Sequence, residues 1–186
     1  MDWSDSPKLS VQHMKYGELT AAQTREIRKL LRSATGEILR SHHDDHEVFL
    51  AYKKGTRNAK LAGFAMISPF SPAHHFENET VEDEKTPATR VPYLYNYVCD
   101  SKLRALKASV SLMYAVKNFI NGVPDNYYTT KSINLDVQEH DEHARQFFER
   151  NGFAKIDTWV CDNNHNKRYT CHTCVYPFET IIKSEP

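Results

Sequence analysis

Two groups of side chains in this sequence have the composition of chemical sites. Cys161-x3-His165 with Cys171-x2-Cys174 offers three thiols and an imidazole, a donor set that zinc accepts. The spacing across a short hairpin is loosely finger-like. However, Cys171 and Cys174 are three apart on what reads as a strand, so they point to opposite faces. Free thiols are the expectation, and no metal. The second group is histidine-rich: His42-His43-Asp44-Asp45-His46 and His74-His75. Both lie in polar stretches where solvated loops account for them, although the first could line a substrate entrance. The acidic run Glu79-Thr80-Val81-Glu82-Asp83-Glu84 reads as a solvated loop, with a wall attracting a cationic substrate as the functional alternative.

Composition excludes several classes. Lys+Arg and Asp+Glu both number 24, for a formal net charge of zero. The chain therefore has no bulk attraction for nucleic acid or for a membrane surface. No apolar run approaches the ~20 residues of a membrane span. The start, Met1-Asp2-Trp3-Ser4-Asp5-Ser6-Pro7, is polar and acidic, the opposite of a secretory leader. Reduced cysteines and a cytoplasmic or nuclear location follow. At 186 residues one domain is expected, over 14–180, with tails at 1–13 and 181–186. Only six glycines occur, about half the usual share, so each should have a geometric reason.

The elements that would position any site are readable from pattern. Thr20-Ala21-Ala22-Gln23 has capping-box spacing. Ile27, Leu30, Leu31 and Ala34 then recur at helical spacing, and Gly36 supplies a left-handed stop. Residues 48–52 and 61–67 read as strands of an antiparallel hairpin around a charged turn. A long polar stretch, 68–90, with Pro69, Pro72 and Pro87, reads as a surface loop. The aromatic run 93–99 is a strand passing into a helix over 103–121, with Leu103, Leu106, Val110 and Met113 on one face. Ile133, Leu135 and Val137 alternate with Asn134, Asp136 and Gln138 in a half-buried strand. Asp141 caps a short helix carrying Ala144, Phe147 and Phe148, and Asn151-Gly152 stops it. A last hairpin spans 154–161 and 168–178. The order describes one α+β domain with a mixed sheet.

This order resembles the GNAT N-acetyltransferase superfamily, as a divergent member. The resemblance covers roughly 14–178. Its more specific part is the later motif: Leu135-Asp136-Val137 at a strand end, Asp141 where Asn is usual, Ala144 opening the helix and Gly152-Phe153 closing it. Phe148 stands where that motif has a tyrosine. The earlier motif is a strand followed by R/Q-x-x-G-x-G/A. Here it reads Arg104-Ala105-Leu106-Lys107-Ala108-Ser109, so Arg104 matches while Lys107 and Ser109 replace the glycines. Lys107 would either crowd a phosphate or pair with it as a point charge.

The resemblance implies a mixed, largely antiparallel twisted sheet flanked by helices, with a V-shaped splay between two central parallel strands. It implies acetyl-coenzyme A as acyl donor and an amine, on a small molecule or a protein, as acceptor. The amine would attack directly in a ternary complex. By register, Tyr97, Val98 and Cys99 would meet the pantetheine arm through backbone groups. Arg104, Ala105, Lys107, Ala108 and Ser109 would meet the pyrophosphate, and Asp141 and Phe148 would lie beside the same donor. For proton transfer the candidates are Glu139 and His140 after the later strand, and Tyr95 and Asn96 on the earlier one. Each has a plainer reading, as a loop residue or a buried aromatic. Because Phe148 lacks the hydroxyl that usually protonates the leaving thiolate, a second function stays open: a catalytically weak or inactive GNAT-like module that binds a protein partner. An oligomer is compatible with either.

Overall fold

Thr20 opens the first helix as its spacing predicts. Its Oγ1 accepts the Gln23 amide at 3.2 Å, and Gln23 Oε1 accepts the Thr20 amide at 2.9 Å. The helix, α1 (Ala21–Thr35), ends at Gly36 with φ 76°. The computed structural model describes residues 9–37, 39, 44–54, 60–69, 90–124, 127–128, 132–162 and 168–177. The chain folds as two compact units: Met1–Ser68 with Leu94–Gly122, and Pro69–Tyr93 with Val123–Pro186.

In the first unit the strands lie in the order β1 (Leu9–Lys15), β2 (Glu47–Lys53), β3 (Leu61–Ser68) and β4 (Tyr93–Cys99). β1 pairs antiparallel with β2 from Leu9↔Lys53 to Lys15↔Glu47, and β2 pairs with β3 from Glu47↔Ile67 onward. β1 takes in residues 9–13, which the sequence pattern leaves in a tail. Its apolar positions, Leu9, Val11 and Met14, break the two-residue alternation that marks a strand.

β2 and β3 are buried on both faces, as strands are when helices cover both sides. On one side α1 turns Ile27, Leu30 and Leu31 onto Val48, Leu50, Tyr52, Phe64, Met66 and Val98. Each of those three helix residues contributes about 1.5–3 kcal/mol by leaving water. On the other side α2 (Ala108–Gly122) buries Ala108, Leu112, Met113, Val116 and Ile120, and Phe119 packs edge-on against Phe49 at 5.6 Å. The expected helix over 103–121 is thus corrected. Residues 101–106 form 3-10 turns, the α-helix starts at Ala108, and Val110 is 40% exposed rather than core-facing. A buried carboxylate, Glu47, is satisfied by His13 Nε2 at 2.7 Å, and the His13 ring stacks on Phe49 at 4.6 Å.

In the second unit the strand order is β5 (Ser132–Gln138), β7 (Arg168–Pro177), β6 (Ala154–Asp162), all antiparallel. Ile133, Leu135 and Val137 are buried while Asn134 and Asp136 are half-exposed, as the alternation requires. α3 (Glu142–Arg150) follows β5, and Asp141 caps it by accepting the Ala144 amide at 3.0 Å. Phe148 packs against Phe147 and Phe153 at 5.3 and 5.4 Å. The parallel pairing of β4 with β5 is present at Tyr93↔Asn134, where the Asn134 amide donates to the Pro92 carbonyl at 2.9 Å. The fold class is therefore mixed α+β, largely antiparallel with one parallel pair. No helix among the described residues is long and apolar enough to cross a membrane.

Gly63 is required by close approach. A Cβ there would lie 2.9 Å from the Val98 carbonyl oxygen and from Cys99 Sγ, and 3.0 Å from Leu112. Because one of these atoms is backbone, Gly63→Ala should cost about 1–3 kcal/mol, read as a lower urea midpoint at unchanged slope. An unchanged midpoint would show that β4 can move away from β3.

Candidate functional site

The passage from β4 to α2, wholly within the first unit apart from Tyr93, contains both non-glycine residues with positive φ among the described residues: Asn96 (48°) and Lys107 (54°). Asn tolerates this region better than most residues. At Asn96 the strand loses its alternation. Tyr95 and Val98, an odd and an even position, both pack into the core cluster under α1. Tyr97 points to the α2 side, where its phenol donates to the Ser109 carbonyl. The kink therefore reverses which face each residue beyond it presents.

β4 ends at Cys99. The Asp100 amide donates to the Ala62 carbonyl at 2.8 Å, and Asp100 accepts the Lys102 amide and the Lys60 ammonium, each at 2.9 Å. The Lys60 bond and its charge hold the Asp100 carboxyl below its ordinary range. After the 3-10 turns, Lys107 takes left-handed backbone and its carbonyl accepts the Ser111 amide at 3.1 Å. α2 thus begins immediately beyond it. The amides of Ala108, Ser109 and Val110 lie in the first turn, where a helix offers them no internal acceptor. Such a turn favours an anion.

Three ionisable groups of β4, Tyr95, Tyr97 and Cys99, are pushed toward their protonated forms. Burial pushes the Cys99 thiol up to about 12. Burial, then the neighbouring Cys99, raises the Tyr97 phenol well above its usual value. Burial, then Tyr16 and Asp45, raises Tyr95. The Tyr95 phenol meets His46 Nδ1 at 2.5 Å. A thiol raised this far is protonated at neutral pH, which disfavours it as a nucleophile.

The other sequence-derived candidates belong to the second unit. Glu139 and His140 are exposed on the turn after β5, and the Glu139 amide donates to the Thr170 carbonyl at 2.8 Å. Asp141 is engaged as the α3 cap. Phe148 is buried among aromatic rings. The side chains of Arg104 and Ala105 lie outside the described residues. So do His42-His43, His74-His75, the acidic run, His165 and the Cys161 and Cys171 side chains, while Cys174 is buried and free. Among the described residues no three His, Cys, Asp or Glu side chains form a metal-sized group.

Sequence reasoning missed two pairs. Tyr93 donates its hydroxyl hydrogen bond to Asp136 Oδ2 at 2.9 Å, beside the parallel pairing of Tyr93 with Asn134. The signal was present in the β5 alternation, which puts Asn134 and Asp136 on the face opposite Ile133, Leu135 and Val137. What the sequence lacks is the register that sets Tyr93 against that face. His46 as the partner of Tyr95 was likewise unread, being 49 positions away.

Two outcomes follow from this geometry. A lysine in left-handed backbone is strained by about 1 kcal/mol relative to glycine. Lys107→Gly should therefore leave stability unchanged or raise it by up to that amount, where a glycine inside a helix would lower it. A clear loss in the thermal midpoint would contradict the strained turn. Separately, Cys99, Tyr95 and Tyr97 bind their protons more tightly when folded than when unfolded. Their contribution is complete below about pH 9, where the unfolded thiol titrates, and is lost as pH rises toward 12. Urea midpoints measured at rising alkaline pH should fall over that window, and less steeply in Cys99→Ala.

No protein-family model matches the chain, and no curated protein matches it by sequence. Solved structures do resemble it. The Arabidopsis thaliana NAA60 structures, one with a bisubstrate analogue and one with acetyl-CoA, each give a TM-score of 0.68 over 91% of this chain and 100% of theirs, at 14% and 12% identity. The ribosomal-protein-S18-alanine N-acetyltransferase from Escherichia coli gives 0.61 over 95% of this chain and 99% of its own, at 13% identity. At such identities the likeness is one of backbone path, and on that evidence the chain has the fold of the GNAT acetyltransferases.

Proposed function

We propose that this protein is an acetyl-CoA-dependent N-acetyltransferase that passes an acetyl group directly to an amine. The observation that carries the reading is the left-handed turn at Lys107. The family motif has glycine at that position, and this chain keeps the glycine-like backbone with a lysine. That turn sets small residues, Ala108 and Ser109, at the open first turn of α2, where backbone amides suit a pyrophosphate. The exposed Lys107 side chain would add a cationic partner at its rim. The backbone of Tyr97, Val98 and Cys99 would hold the pantetheine arm. Among the neighbours, NAA60 was solved with acetyl-CoA and the NatC complex with a Gag peptide and CoA, the latter at a TM-score of 0.60 and 11% identity. Those names support the donor assignment.

Acetyl-CoA supplies a thioester: the amine nitrogen forms the new C–N bond, the C–S bond breaks, and coenzyme A leaves as the thiol. The chain's own task is to move protons. Asp136 is the proposed acceptor of the amine proton, directly or through water, with the Tyr93 phenol holding its carboxylate in place. Glu139 and His140, exposed just beyond β5, would relay that proton to solvent. Tyr95 and Asn96 are proposed as positioning residues, since the Tyr95 phenol is engaged by His46 and Asn96 makes the kink. Phe148 brings no hydroxyl, so protonation of the thiolate falls to solvent. A neutral Cys99 fits direct attack and not an acyl-cysteine intermediate.

Acetyl-CoA at 100 times its dissociation constant should add about 2.7 kcal/mol of stability, a rise of about 5–10 °C in the melting midpoint. Absence of any rise at millimolar donor would overturn the enzyme reading in favour of a GNAT-like module that binds a protein partner. With binding in hand, Asp136→Asn should lower thiol release with an amine panel by about 10²-fold or more while keeping the donor-induced shift. Full turnover in Asp136→Asn would remove Asp136 from the mechanism.

A further inference from the structure

We infer that the outer face of α1 is a docking surface for an acidic protein segment. Arg25, Arg28, Lys29 and Arg32 are all exposed and recur at i, i+3, i+4 and i+7. At ~100° per residue they fall within an arc of about 100°, directly opposite the buried stripe of Ile27, Leu30 and Leu31. An amphipathic helix needs a polar outer face, but it does not need one sign of charge. Four neighbouring like-charged pairs lie along this stripe, and each one weakens the helix. Interspersed carboxylates would relieve that at no cost to packing, yet the only acid in 21–35 is Glu26, off the stripe. The chain as a whole carries no net charge, so the cationic excess is local to this face. Among the described residues none of the four makes an ion pair.

The second observation is shape. Arg25 and Arg28, with Leu19, Ala21 and Thr24, line an open concavity of about 500 Å³. Its lining combines the aliphatic side chains of Leu19 and Ala21 with the guanidinium-bearing Arg25 and Arg28. Arginine binds carboxylates bidentately, while Leu19, Ala21 and the methylene stems beside them suit an apolar side chain. An extended or helical segment mixing Glu or Asp with Leu or similar residues meets both requirements. Nucleic acid fits less well. The stripe has no aromatic side chain on which a base could stack. Its seven-residue rise of ~10 Å spans too few phosphates to hold a strand without further contacts.

The test is fluorescence polarisation of the full chain with a fluorescein-labelled glutamate-rich peptide carrying a central Leu-Leu pair. The same peptide with lysine for glutamate, and a short oligouridylate, serve as comparators. The acidic peptide should bind, the lysine peptide should not, and Arg25→Glu/Arg28→Glu should weaken binding at least about tenfold. Arg25→Gln/Arg28→Gln, which introduces no repulsion and keeps a good helix former at both sites, should fall between. Both variants should melt no lower than wild type, since like-charge repulsion along the stripe is relieved, and should keep the rise with acetyl-CoA, since neither position belongs to the donor-binding turn. Equal peptide affinity in wild type and in the glutamine variant would overturn the inference. So would tighter binding of the oligouridylate than of the acidic peptide, which would assign the face to nucleic acid.

Discussion

β4 lies so close to β3 at Gly63 that no side chain fits between them, and the candidate donor site is built outward from that contact. The Val98 carbonyl and Cys99 thiol are held at the distance Gly63 allows. Asp100 then ties the end of β4 to Ala62. From this fixed point the chain has only a few residues in which to leave the strand, turn and start α2. It does so through 3-10 turns and one strained residue, Lys107. On the far side, the Tyr97 phenol fastens the first turn of α2 back to the strand it came from. Strand end, turn and helix start thus form one braced corner.

The same burial that braces the corner sets its chemistry. Cys99, Tyr97 and Tyr95 are all kept protonated because their anions would be stranded away from water. Groups in that state can donate hydrogen bonds but cannot serve as bases. The carboxylate of Asp136 and the side chains of Glu139 and His140, in the second unit, are by contrast half-exposed or exposed.

Much of this was legible in the sequence because it rests on local pattern. The Thr20 cap, the Gly36 stop, the alternation of β5 and the Asp141 cap each depend on residues within a few positions of one another. What was hidden depends on backbone geometry or on distant partners. Nothing in the letters Tyr-Asn-Tyr says that Asn96 reverses the faces of β4, so Tyr95 and Tyr97 could not be told apart. A lysine at position 107 reads as a break in a glycine motif, although the backbone keeps the glycine shape. Val110 was misplaced because a helical face was extended backward through residues that form 3-10 turns. The Tyr93–Asp136 bond needs a parallel register that no single segment encodes.

β6 is the outer strand of the second unit, and its Ile156 and Val160 are about 60% exposed. A long, apolar, unpaired edge of this kind would be a template on which another chain could polymerise. Its ladder with β7 is interrupted between Lys155 and Asp157, leaving Ile156 as an extra residue flanked by opposite charges. That irregularity bends the edge out of the flat geometry a recruiting strand would need. The most exposed isoleucine among the described residues thus sits at a point of β6 poorly suited to seed a fibril, a safeguard for shelf life and expression.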